Sequence, residues 1–129
     1  MSAVNSVNWF ELYVQDMARA RAFYEAVFGI ALEALKLPEG SDDGLEMWAF
    51  PGEMDRYGAN GALCRMPGVL SGPGGTLVYF ACEDCGATAA GVAPAGGRVH
   101  REKMSIGEYG FIALAFDTEG NMIGLHSMR

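Results

Sequence analysis

At 129 residues the chain is most simply one domain, long enough to bury a single core without disulfide or metal staples. Half of it is apolar, which excludes a disordered chain, and the formal net charge of −7 argues against nucleic acid or an anionic membrane surface as partner. No stretch approaches the roughly 18 to 20 apolar residues that a membrane span needs. The opening M-S-A-V-N-S-V-N-W lacks the shape of a secretory signal, and three cysteines is an odd count for a disulfide framework. A reducing cytoplasm is the expected compartment.

Residues 8–14 alternate, with Trp9, Glu11 and Tyr13 on one face and Phe10, Leu12 and Val14 on the other. Asp16 is placed to cap a helix in which Met17, Ala20, Tyr24, Val27 and Phe28 recur at helical spacing and are expected to bury; Gly29 stops it. Residues 30–36 read as a strand and 38–44 as a polar turn. Strands at 45–50 and 61–66 flank the long loop P-G-E-M-D-R-Y-G-A-N-G, and P-G-V-L-S-G-P-G-G, 67–75, links two halves. The second half repeats the plan. A strand at 76–82 is followed by a helix capped by Asp84 and ending near Gly96 and Gly97. Strands near 98–103, 110–116 and 122–127 come next, the last two joined by the turn D-T-E-G-N.

The order strand, aspartate, helix, glycine therefore occurs twice, about 68 positions apart. Asp16 falls on Asp84, Val14 on Cys82, Leu12 on Phe80 and Gly29 on Gly97. Such a repeat implies two half-domains of β-α-β-β-β form facing each other across a shared groove. The expected fold is α+β, one domain made of module 1 (about 8–67) and module 2 (about 75–128) joined by the Pro/Gly-rich linker.

The repeat, with V-x-D and F-Y-x-x-V-F-G in the first half and D-x-E-G-N before the final strand, resembles the glyoxalase/bleomycin resistance/extradiol dioxygenase superfamily, also called vicinal oxygen chelate. The C-terminal G-N-M-I-G-L-H-S resembles its branch of lactoylglutathione-lyase relatives. The resemblance implies a half-open curved barrel around a cavity, and a homodimer. It also implies metal ligands on the first strand of each half and on the last strand. Those positions fall on Trp9, Leu77 and Gly124, none of which binds a metal through its side chain. No cofactor is expected from them, and a divalent metal regained through Glu11 and His126 is the open alternative.

Glu11 is costly to bury in mid-strand unless paired, and by fold analogy its face looks into the cavity; it is a candidate general base, and otherwise a structural carboxylate. His126 is displaced by the same two-residue step from Gly124 as Glu11 is from Trp9, so the two are candidates for an acid–base pair, against a plain hydrogen-bonded histidine near the chain end. Trp9, Tyr13, Trp48 and Tyr79 are candidates to line the cavity and stack on a planar ligand, or else ordinary core aromatics. Glu46 reads as structural or rim-facing, and His100 as a surface residue. C-E-D-C, with Cys82 and Cys85, matches a redox spacing, yet the repeat puts both at packing positions. Two functions fit: a lyase or isomerase acting on a small carbonyl metabolite with Glu11 as base, or a non-catalytic protein that sequesters a small antibiotic-like molecule.

Overall fold

The computed structural model describes residues 5–37 and 44–129, so all of the turn expected at 38–44 except Gly44 lies outside the described residues. The element order is β1 (Val7–Tyr13), α1 (Met17–Phe28), β2 (Glu33–Ala34), β3 (Glu46–Ala49), β4 (Asn60–Arg65), β5 (Thr76–Ala81), α2 (Cys85–Ala90), β6 (Arg98–Ser105), a 3-10 turn (Gly107–Tyr109), β7 (Phe111–Phe116) and β8 (Met122–Ser127). This is a mixed α+β chain carrying the β-α-β-β-β order twice. It divides into two compact units, Trp9–Thr76 and Leu77–Arg129, the latter including the residues up to Asn8.

In the Trp9–Thr76 unit the strands run β2-β3-β4-β1, with β1 parallel to β4 and the other pairs antiparallel. The alternation of β1 sorts its side chains. Leu12 and Val14 pack with Met17, Leu32, Leu63, Ala20, Tyr24 and Phe50 on the side of α1. Trp9 and Tyr13 pack with Met47, Ala62 and Cys64 on the other. The Asp16 carboxylate caps α1 by accepting from the Arg19 N–H at 3.0 Å. Gly29 ends the helix in the left-handed conformation, φ +66, its N–H donating to the Glu25 carbonyl. Val27 and Phe28 do not bury as their spacing led us to expect: they are 57% and 63% exposed. A twelve-residue helix with nine apolar residues carries more than one apolar stripe, and the sheet covers the one centred on Met17, Ala20 and Tyr24. The strand expected at 30–36 shrinks to Glu33–Ala34.

The other unit runs β5-β8-β7-β6, with β5 parallel to β8. Its core joins Cys85, Ala89, Ala113 and Leu125 with Phe80, Cys82, Val99, Phe111 and Ile123. Asp84 caps α2 by accepting from Gly86 and Ala87 and is held by Lys103 Nζ at 2.9 Å, a bond that keeps its carboxyl below the ordinary carboxylate range. α2 stops at Ala90 rather than near Gly96. Gly91 follows at once, and Pro94 has no N–H with which to continue the helix.

Between β7 and β8, Asp117 accepts from Asn121 Nδ2 and from the N–H groups of Asn121 and Glu119, at 2.8 to 2.9 Å. These bonds, that to the Asn121 side chain first, lower its pKa. A carboxyl depressed on folding contributes stability above its ordinary pKa and loses it as pH falls through the lowered one. Asp117→Asn is therefore expected to melt below the wild type at neutral pH and to converge with it as the pH drops below the usual carboxylate range. Melts across that range check this.

Candidate functional site

Glu11 stands at the middle of β1, opposite Ala62 of β4, and is 7% exposed. Tyr13 donates its hydroxyl to Oε1 at 2.7 Å and Trp9 donates Nε1–H to Oε2 at 3.1 Å. All three share a strand face because they lie at i and i±2. The cluster beside them is apolar, with Met47, Ala62 and Cys64 buried and Leu35, Leu37 and Leu45 packed on it. The Cys64 thiol is pushed far above its ordinary pKa, by burial first and by the negative charge of Glu11 second. This is a carboxylate kept in an apolar setting by two aromatic donors, each donor adding a charge-assisted bond.

Trp48 does not join this face. It pairs with Leu63, whose side chain belongs to the α1 side, and packs there. The Arg21 guanidinium lies 3.5 Å from its ring centroid, and its Nε1–H donates to the exposed Glu46 at 3.0 Å. Trp48 therefore lies on the face opposite the Trp9–Glu11–Tyr13 one, and Glu46 is exposed at the rim.

Tyr79 and His126 belong to the other unit. Tyr79 is buried opposite Gly124, and a Cβ added at Gly124 would lie well inside contact distance of the Tyr79 ring. The ring occupies the space that a side chain at Gly124 would need. His126 Nε2 lies 2.7 Å from the Tyr109 carbonyl and Nδ1 lies 3.1 Å from Asn8 Nδ2. A carbonyl only accepts, so Nε2 carries the proton and Nδ1 accepts from the Asn8 amide. Both ring nitrogens are engaged within the unit, so His126 links the Gly107–Tyr109 turn to Asn8.

Cys82 and Cys85 pack in the core of their unit. Burial, as the first cause, raises the Cys82 thiol, and the Cys85 N–H donates to Ser127 Oγ at 2.9 Å. His100 is exposed and meets Phe116 edge-on at 5.4 Å.

Among the described residues no group of three His, Cys, Asp or Glu side chains comes together to hold a metal. At the positions where the resemblance expects ligands, Trp9 donates to Glu11, Leu77 is buried, and Gly124 is covered by Tyr79. The residues present do not fit the metal of the metal-using relatives. Sequence reasoning also missed Cys64 beside Glu11 and the pair Asn8 and Tyr109 around His126. Each depends on strand register or on a distant turn, and no local pattern signals it. No helix among the described residues is long and apolar enough to cross a membrane.

The pattern of the Glyoxalase/Bleomycin resistance protein/Dioxygenase superfamily matches residues 6–125. The chain is 33% identical over 112 residues to the protein named "Putative glyoxylase CFP32" in Mycobacterium bovis and in Mycobacterium tuberculosis. That match covers 87% of this chain but only 40% of those relatives' length. Among solved structures, methylmalonyl-CoA epimerase from Mycobacterium tuberculosis superposes with a TM-score of 0.68 at 17% identity, covering 100% of this chain and 93% of the other. A hypothetical protein, BH1468 of Bacillus halodurans, gives 0.68 at 10% identity, covering 95% and 94%. These structures share the fold, and the chain belongs to the glyoxalase/bleomycin resistance protein/dioxygenase superfamily.

Proposed function

We propose that the chain binds a small carbonyl- or enol-containing metabolite on the Trp9–Glu11–Tyr13 face, and that Glu11 is the base that moves a proton on it, as in a lyase or isomerase reaction. One observation carries this reading: a mid-strand carboxylate, 7% exposed, is held by two aromatic donors in an apolar cluster. Burying a charge costs several kcal/mol on the order expected for such groups, and the Tyr13 hydroxyl and the Trp9 indole offset part of that cost. The two donors fix the carboxylate in one orientation, which suits a group that must meet the same carbon at each turnover. Trp9 and Tyr13 offer flat faces for a planar ligand. The relatives named as a glyoxylase and as epimerases support the same class, since inverting a centre beside a carbonyl requires a proton to leave and return.

In this chemistry the Glu11 carboxylate takes the proton from the carbon next to the carbonyl. The electron pair passes to the carbonyl oxygen, and the proton returns as the enolate collapses. A second reading, sequestration without turnover, is favoured by the Tyr79 ring over Gly124, which closes the position where the resemblance expects a carboxylate. Deuterium uptake from D2O, followed by NMR over a panel of small 2-oxo, 2-hydroxy and dicarbonyl compounds, separates them. We expect exchange in the wild type and its loss by about a hundredfold or more in Glu11→Gln, with ligand binding retained. Exchange that survives Glu11→Gln overturns the base assignment. Binding without any exchange, weakened by Trp9→Ala, establishes sequestration.

A further inference from the structure

The strands β5 to β8 sort their side chains onto two faces, and Val99, Ala113 and Leu125 pack toward α2. The opposite face carries Ile112, Leu114 and Phe116 of β7, with Met122 of β8 paired to Phe116, all of them partly exposed. Arg98 pairs with Phe116 and Arg101 with Leu114, so both arginines stand on this apolar face. Two register shifts in β6, one on either side of Arg101, set them there. The Arg98 guanidinium lies 4.4 Å from the Phe116 ring centroid, and His100 meets the same ring edge-on at 5.4 Å. Arg101 Nη1 lies 3.3 Å from the Met104 sulfur.

These contacts leave both arginines without a counter-ion. Neither forms an ion pair among the described residues, whereas Lys103 of the same strand meets Asp84, the cap of α2, at 2.9 Å. The strands β5 to β8 together hold one carboxylate, Glu102, in a chain whose formal net charge is −7. β6 is the last strand of its sheet, and basic side chains on an edge discourage pairing with another sheet. That role needs only side chains in solvent, not two guanidinium groups seated on an apolar face. A guanidinium is weakly hydrated and presents a planar fork that matches a carboxylate. We infer that this face binds a small carboxylate with an apolar tail, the anion between Arg98 and Arg101 and the tail along Leu114 and Ile112. Phe116 and Leu114 are two residues apart on one strand, so their partners bring both guanidinium groups within reach of one anion. From Phe116 to Ile112 the strand rises roughly 14 Å, room for an unbranched tail of about eight carbons. The site lies wholly within the Leu77–Arg129 unit, on residues other than Trp9, Glu11 and Tyr13.

Octanoate is the probe, titrated into the full chain and followed by amide NMR shifts, beside acetate and octanol, which carry its charge and its tail separately. Octanoate is expected to saturate in the millimolar range, with the largest shifts at residues 98–101 and 114–116. Acetate and octanol are each expected to bind at least about tenfold more weakly. Arg98→Gln and Arg101→Gln, both at exposed positions, are each expected to weaken octanoate about tenfold with an unchanged circular dichroism spectrum. Octanol binding as tightly as octanoate overturns the proposal, because the face is then merely apolar. The absence of saturable shifts at millimolar octanoate overturns it too, as does wild-type affinity in both arginine variants. Largest shifts in β1 would put the probe on the Glu11 face and equally overturn it. None of these outcomes bears on the proton transfer proposed for Glu11.

Discussion

Glu11→Gln is expected to lower the melting temperature by roughly 5–10 °C, for a loss of about 1.5–3 kcal/mol. The amide has the shape of the carboxylate but one acceptor oxygen in place of two. With its oxygen accepting from the Trp9 indole, it donates its NH2 to the Tyr13 hydroxyl oxygen, which must turn its own proton elsewhere. Both bonds lose their charge assistance, and the Tyr13 hydroxyl loses the acceptor it now donates to. A drop of that size with no loss of proton-exchange activity would make Glu11 a structural carboxylate. Cys64 supplies an internal check. Burial is the larger cause of its raised pKa, so its thiol is expected to stay unreactive in the variant even with the neighbouring charge gone.

Gly124→Glu, which restores the carboxylate that the family resemblance expects in the last strand, is expected to destabilise the chain by about 3 kcal/mol or more and to confer no metal binding. Overpacking a filled core site costs on the order of 1–3 kcal/mol by itself, and an unpaired buried carboxylate adds to it. The cause is specific: the Tyr79 ring already lies over the Gly124 backbone. Tyr79→Ala alone leaves a cavity, with a loss of about 3–5 kcal/mol. The double variant Tyr79→Ala/Gly124→Glu is therefore expected to be less damaged than the two changes added together, by about 1 kcal/mol or more. Denaturant titrations of the four proteins measure that coupling. Strict additivity would show that the ring does not decide what Gly124 can become.

The local chemistry was readable along the chain. Alternation in β1 sorted Glu11, Trp9 and Tyr13 from Leu12 and Val14, and Asp16, Asp84 and Asp117 announced two helix caps and a turn. Long-range placement was not readable. Trp48 alternates with Met47, but which of them faces Glu11 is decided by register against β4. The partners of His126, Asn8 118 positions earlier and the Tyr109 carbonyl 17 positions earlier, leave no mark in the sequence around it. In α1, spacing alone does not say which of several apolar stripes the sheet covers, and Val27 and Phe28 lie on one it leaves exposed.

Cys64 and Cys85 are each 0% exposed, one in each of the two compact units. A thiol shut away in this manner meets an alkylating reagent only when its surroundings open, so its rate of modification reports an opening free energy. Mass spectrometry of partly alkylated protein then compares the two directly. Equal rates would mean that the duplicated halves come apart as one cooperative unit. Unequal rates would rank them, and would reveal whether two modules of similar plan still share a single unfolding transition.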